Sequence, residues 1–246
     1  MIKKILVSQP KPASEKSPYF EIQAKHDVEF VFHPFIKIEG LSSLEFRQQK
    51  IKILDYTAIV FNSRHAVDFF FTLCKELRVS LPEDMRYYAL TEAISLYIQK
   101  YVVYRKRKAF FGKTGKWEDL VEVMAKHKTE KYLVPLSDVH SDEVARTLDA
   151  KKLHHRECVM YRTVSNAFPD DLQLDCDMLV LFTPAGVESL LKNFPDFEQG
   201  DMKLACFGPS TKKALEDAGL RVDIAAPTAE ARSMPAAIEQ YIMAHS

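Results

Sequence analysis

Short apolar runs alternate along the chain with stretches whose apolar residues recur at helical spacing, so strands and helices follow one another. Residues 4–8 read as a buried strand ending in a polar turn at Ser8, and 14–24 as a helix with Tyr19, Phe20 and Ile22 for its inner face. A second strand is expected over 28–32, and 33–38 alternates apolar with polar positions as an extended segment. The polar stretch 42–49 fits either a helix or a linker. The apolar run 57–61 is a strand, and Asn62-Ser63 caps a helix continuing through Ala66, Val67, Phe69 and Phe70. Strand 86–89 leads to Thr91, which opens a helix bearing Ala93, Ile94, Leu96 and Ile98. Farther on, the pattern predicts a helix over 117–124, a strand over 132–136 ending at Ser137-Asp138, a helix over 142–148 and a strand over 158–164.

A strand-to-helix turn near the C-terminus has more chemistry in it. The apolar run Leu204 to Phe207 stops at Gly208, and Pro209, Ser210 and Thr211 open a segment with helical spacing. The first amides of a helix lack internal partners and the helix dipole adds partial positive charge there, so such a turn can hold an anion. Gly208 permits close backbone approach, Pro209 suits the first helical turn, and Ser210 or Thr211 can cap the helix or donate to an oxyanion. A plain structural cap explains the same residues.

The chain also resembles itself. Residues 57–67 can be laid against 177–187, with Asn62 set opposite Thr183, and 86–96 matches 203–214 in pattern, with Thr91 near Pro209. Two halves that alternate strand and helix imply an α/β protein of two domains, each a parallel sheet flanked by helices on both faces. Ligands of such folds bind outside the carboxyl ends of the strands. The polar turns at Ser8, Asn62, Thr91, Ser137, Thr183 and Ser210 all fall at such ends, and facing domains would surround a large polyanion with six helix N-termini. No nucleophile–base pair and no dinucleotide loop is present, and the eight histidines are scattered, with His154-His155 pointing apart on a strand, so no metal site is expected.

With 246 residues, 47% hydrophobic and 28% charged, the chain has the composition of a soluble globular protein and the length for two real cores. Its formal net charge of zero argues against a nucleic-acid coat. The basic and aromatic stretch 101–111 fits a solvated sheet edge better than a single-strand binding surface. Cys74, Cys158, Cys176 and Cys206 are widely spaced, which points to buried reduced thiols rather than disulfides or a zinc site. The first apolar run is too short for a signal peptide, and no apolar stretch approaches the roughly 20 residues of a membrane span. The cytoplasm is the expected location, and a monomer requires no further feature.

In order along the chain, several motifs resemble those of the uroporphyrinogen-III synthase family. They are Val7-Ser8-Gln9-Pro10, the stretch from Pro34 to Ile38, Ile59-Val60-Phe61-Asn62-Ser63 with Ala66-Val67, and Val159-Met160-Tyr161-Arg162-Thr163. Val180 to Val187, the run from Ala205 through Gly208-Pro209-Ser210-Thr211 to Leu215, Ala218-Gly219-Leu220 and Ala226-Pro227-Thr228 complete the series. The resemblance implies a discontinuous domain of 1–33 and 165–246, a second domain of 49–157, and hinge connections at 34–48 and 158–164. It also implies cyclisation of the linear tetrapyrrole hydroxymethylbilane, with loss of water and inversion of the last ring, without a cofactor.

Tyr161 matches the tyrosine proposed in that family to assist departure of the hydroxyl, and a phenol can donate a hydrogen bond at neutral pH. The resemblance places substrate binding at Ser8, Asn62, Ser63, Arg64, Thr91 and Ser137. In the second half it places binding at Thr183, Ala185, Gly186, Pro209, Ser210 and Thr211. Departures from the family pattern stand at Gln9, where many relatives have arginine, and at Asn62 and Ala185, which replace hydroxyl residues; Arg64 can supply positive charge in place of the missing one. Two other functions fit the same features: an inactive relative that binds a tetrapyrrole or other polyanion, and a two-lobed binding module for a small anionic metabolite. The lack of a signal peptide disfavours the second, and retention of Tyr161 and of the Pro209-Ser210-Thr211 turn favours the enzyme over the first.

Overall fold

A computed structural model describes residues 2–169 and 174–245. The chain opens with β1 (Lys4–Val7), α1 (Pro18–His26), β2 (Glu29–Phe32), β3 (Ile36–Gly40) and α2 (Ser43–Gln48). It continues through β4 (Ala58–Phe61), α3 (Arg64–Glu76), β5 (Arg86–Ala89), α4 (Glu92–Tyr97), β6 (Ala109–Phe111) and α5 (Trp117–Met124). Then come β7 (Tyr132–Ser137), α6 (Glu143–Ala150), β8 (His155–Ser165), β9 (Met178–Leu181) and α7 (Pro184–Asn193). The last elements are β10 (Lys203–Phe207), α8 (Pro209–Asp217), β11 (Ile224–Ala226) and α9 (Met234–Ala244).

Contacts divide these elements into two units, one of Met1–Lys37 with Val164–Ser246 and the other of Ile38–Thr163. In the first, five strands form the sheet order β11-β10-β9-β1-β2, and every pairing is parallel. Helices cover both faces, which is why the strands read as continuous apolar runs rather than alternating ones. Ile5, Val7, Met178 and Val180 enter one core cluster, while their neighbours Leu6, Leu179 and Leu181 enter another on the opposite face.

The second unit has the sheet order β3-β8-β7-β4-β5-β6. Ile59 and Phe61 pack into one cluster and Ala58 and Val60 into another, so this sheet is also buried on both sides. Its β6 end is the basic stretch foreseen as a charged edge: Arg105, Lys106 and Arg107 are exposed beside a three-residue edge strand. Charge at such an edge discourages pairing with another chain.

The two sheets share one plan with the chain threaded differently. β9, β10 and β11 neighbour one another as β4, β5 and β6 do, and β1 and β2 stand beside β9 where β7 and β8 stand beside β4. The alignment of the halves needs a correction of one position. Ser63, not Asn62, is the counterpart of Thr183, because each is the residue whose hydroxyl accepts from the third amide of its helix, Ala66 N in α3 and Gly186 N in α7.

Three other expectations change. Ser8 and Ser137 end strands without opening helices, since α1 begins only at Pro18 and α6 at Glu143. The prolines at 10 and 12 delay the first of these helices. Cys176 is half-buried, whereas Cys74, Cys158 and Cys206 are buried, and all four are free thiols. The sequence pattern did not predict β11 or α9. β11 has only three residues, too few to show a period, and α9 is reached from it through a turn region containing the cis peptide bond Ala226-Pro227. Among the described residues no helix is long and apolar enough to cross a membrane.

Candidate active site

In the Ile38–Thr163 unit, β4 delivers Ser63 to the start of α3. Ser63 is extended, with φ −152°, which lets its Oγ turn back and accept from Ala66 N at 3.0 Å. The same Oγ lies 3.1 Å from the Tyr161 hydroxyl. Tyr161 comes from β8 and pairs with Ser137 of β7 just where the register slips. Its side chain is only 7% exposed, so the phenol is held against the half-buried Ser63 rather than standing in water.

Neighbouring residues fix this tyrosine from three directions. The Phe69 ring of α3 lies nearly parallel to the Tyr161 ring, centroids 5.4 Å apart and planes inclined by 22°, with the exposed His65 ring 6.4 Å away. On one side along the strand, the Gln49 amide grips Val159, donating to its carbonyl at 2.8 Å and accepting from its amide at 2.9 Å. On the other, Arg162 donates to Glu45 at 2.8 Å. Glu45 also closes the capping box of α2 with Ser42. The Ser42 amide and hydroxyl, with the Arg162 guanidinium, hold the Glu45 carboxyl down at about 2. That tie therefore stays ionic throughout the neutral range.

Gly40 at the end of β3 completes the arrangement by what it lacks. A Cβ there would lie 2.6 Å from Cδ1 and 2.9 Å from Cε1 of Phe69, so only glycine leaves the ring its place over Tyr161.

The other candidates in this unit have differing commitments. The buried Asn62 Oδ1 has no partner. The Arg64 guanidinium sits 5.3 Å from the Tyr97 ring centre, and Tyr97 donates to Asp68. Thr91 caps α4 by accepting from Ile94 N at 3.3 Å. The Ser137 hydroxyl donates to Asp138 at 3.0 Å, which places a carboxylate beside it.

In the Met1–Lys37 and Val164–Ser246 unit, Ser8, Thr183 and the Gly208 turn lie at the carboxyl ends of neighbouring parallel strands. Thr183 caps α7, accepting from Gly186 N at 3.1 Å, and Ala185 offers its backbone beside it. Thr183→Ala is expected to cost about 1 kcal/mol, read as a lower urea midpoint; an unchanged midpoint would mean the hydroxyl does not stabilise α7.

α8 is built differently. Its cap is Gly208 itself, at φ 86° and ψ 152°, a conformation that favours glycine, and no side chain caps the helix. Pro209 and Ser210 are exposed, whereas Thr211 is 0% exposed, on the same inward face as Leu215, and its Oγ1 has no partner. Neither Ser210 nor Thr211 is therefore a cap, and the first amides of α8 are left without a side-chain acceptor.

Among the described residues no three His, Cys, Asp or Glu side chains gather as metal ligands. What the two sets of turns offer is hydroxyls and helix-start amides, suited to carboxylate oxygens, and one buried phenol paired with a serine. Gly40 and Gln49 were not expected at the site, Arg162 entered only as part of a motif, and Phe69 only as an apolar position of its helix. Phe69 is the first of three consecutive phenylalanines, and only the helical spacing that buries Phe70 and Phe71 marks it as the one turned outward.

The family model of uroporphyrinogen-III synthase HemD matches residues 19–236. Uroporphyrinogen-III synthase of Saccharomyces cerevisiae is 27% identical over 120 residues, 43% of this chain and 44% of the yeast protein, so the match spans under half the length of that relative. Among solved structures, uroporphyrinogen-III synthetase from Helicobacter pylori superimposes with a TM-score of 0.60 at 13% identity, covering 99% of this chain and 100% of that one. A mutant uroporphyrinogen III synthase from Thermus thermophilus gives 0.50, also at 13% identity and with the same coverage. The structural likenesses establish a shared fold. With the family model extending over most of the sequence, the chain belongs to the uroporphyrinogen-III synthase family.

Proposed function

We propose that this protein is a uroporphyrinogen-III synthase, cyclising hydroxymethylbilane with loss of water and inversion of the last pyrrole ring. The observation that carries the reading is the hydroxyl pair of Tyr161 and Ser63 at the start of α3.

The linear substrate must lose its terminal hydroxyl to give a reactive azafulvene. The C–O bond breaks as a proton reaches the departing oxygen, which leaves as water, while the pyrrole nitrogen lone pair forms the exocyclic double bond of an azafulvenium cation. Loss of the ring N–H proton gives the neutral azafulvene. Tyr161 and Ser63 share one hydrogen bond, and either can be its donor. With Tyr161 donating inward, the Ser63 hydroxyl hydrogen is free for the leaving oxygen while its lone pairs serve Tyr161 and Ala66 N. The α3 N-terminus adds partial positive charge beside them, favouring the negative charge that builds up as the proton is given away.

The rest of the reaction is positioning. Ring closure through a spiro intermediate joins two ends of one molecule, and aligned intramolecular ends reach very high effective molarity. In one unit the proposed contacts for the acetate and propionate carboxylates are Asn62, Arg64, Thr91, Ser137 and the backbone amide of Ser63. In the other unit, taken by itself, the proposed carboxylate contacts are Ser8, Thr183, Ala185 and Gly186, with Ser210 and the backbone amide of Thr211 at the uncapped start of α8. Asn62 retains an unpartnered buried oxygen, and Ser137 already serves Asp138, so the backbone amides and Ser210 are the stronger contributors.

Freshly made hydroxymethylbilane supplied to the protein should yield uroporphyrinogen III, separated chromatographically from the spontaneous, uninverted isomer. Formation of isomer I alone would overturn the assignment.

A further inference from the structure

The largest motif left unused by this reaction is the basic and aromatic segment after α4, and it borders a cavity of about 270 Å3 within the Ile38–Thr163 unit. The cavity opens where Met85 precedes β5 and Ala109 begins β6. Those are the amino ends of strands parallel to β4, so it lies at the end of the sheet opposite Ser63 and Thr91.

Its walls combine three properties. Met85, Ile98 and Val102 make it apolar. Tyr87 is only 9% exposed, yet its hydroxyl makes no hydrogen bond to any described residue. The hydroxyls of the fully buried Tyr88 and Tyr132 do have partners, His127 for one and backbone carbonyls for the other. The Tyr87 oxygen is not sealed from water, so it stands in the cavity wall with its hydrogen free for an acceptor that enters. Finally, Arg105 and Lys108 line the cavity with no ion-pair partner among the described residues, against the single carboxylate of Glu83.

We propose that this cavity binds a small planar aromatic carboxylate, its ring on the apolar wall and its oxygens toward Tyr87, Arg105 and Lys108. Size selects the class. Pockets for drug-sized ligands run from about 300 to 1,000 Å3, so this one takes one or two rings and excludes a tetrapyrrole. Charge selects the acid over a neutral arene. Burial pushes the Tyr87 phenol up to about 12, so it remains protonated and can donate to a carboxylate at neutral pH.

The test is a titration of the full chain with 1-naphthoate, followed by calorimetry and thermal unfolding. One saturable site and a Tm that climbs with ligand concentration are expected. Tyr87→Phe should weaken binding about tenfold while leaving the unliganded Tm unchanged, because the hydroxyl it removes is bonded to no other described residue. Exchanging both surface cations, R105A with K108A, should weaken naphthoate about tenfold as well, yet leave 1-naphthalenemethanol, the neutral counterpart, unaffected. No saturable binding at millimolar naphthoate would overturn the proposal. So would equal affinity in all the pocket variants, or binding lost in Ser63→Ala but kept in them. None of the three pocket residues belongs to the proposed catalytic pair, so the pocket variants should convert hydroxymethylbilane normally. The binding result and the synthase assay therefore stand or fall separately.

Discussion

Tyr161→Phe is expected to lower turnover by about a hundredfold or more while changing KM far less, since a positioned acid is worth about 10²–10⁴ in rate. The substitution keeps the ring, its stack on Phe69 and the strand pairing to Ser137, and removes only the hydroxyl that meets Ser63. Ser63 retains its bond from Ala66 N, so α3 stays capped and the folded state loses only one exchangeable hydrogen bond, about 1 kcal/mol. A large fall in kcat with a Tm lowered by only about 2–4 °C would therefore report chemistry and not folding. Ser63→Ala should reduce turnover as well, and the double variant should be little worse than the more damaging single one, because two groups that pass one proton act as a unit. Full turnover in Tyr161→Phe would remove the phenol from the reaction.

How much of this was readable in advance depends on the range of the interaction concerned. The strand-end turns were legible because a parallel strand buried on both faces must stop where polar residues begin, as Phe61 gives way to Asn62-Ser63 and Leu181 to Phe182-Thr183. Which of Asn62 and Ser63 is the cap was not, since both residue types cap helices and only the backbone path decides. Thr211 misled for a similar reason. Its hydroxyl invites an anion, yet its spacing from the fully buried Leu215 turns it into the core. The support of Tyr161 was least legible, because Gly40, Gln49, Phe69 and Arg162 meet across the sheet from distant parts of the chain, and nothing in their local sequence announces it.

Gly40→Ala tests that support most directly. The new methyl would overlap the edge of the Phe69 ring at 2.6 Å, a separation that real Cβ atoms essentially never show, so either β3 or the ring must move. Because Phe69 is half-buried, the ring is the softer of the two, and overpacking of this kind costs about 1–3 kcal/mol. A displaced ring no longer lies against Tyr161, so turnover should fall along with stability. Phe69→Ala removes the obstacle, and adding Gly40→Ala to it should then cost almost nothing, the non-additivity expected of two residues in contact. Phe69→Ala alone should lower kcat by loosening the tyrosine while the Ser63 cap on α3 remains. Strict additivity of the Gly40 and Phe69 substitutions in denaturant unfolding would mean that the glycine is kept for its backbone, and that the aromatic stack over Tyr161 does not depend on it.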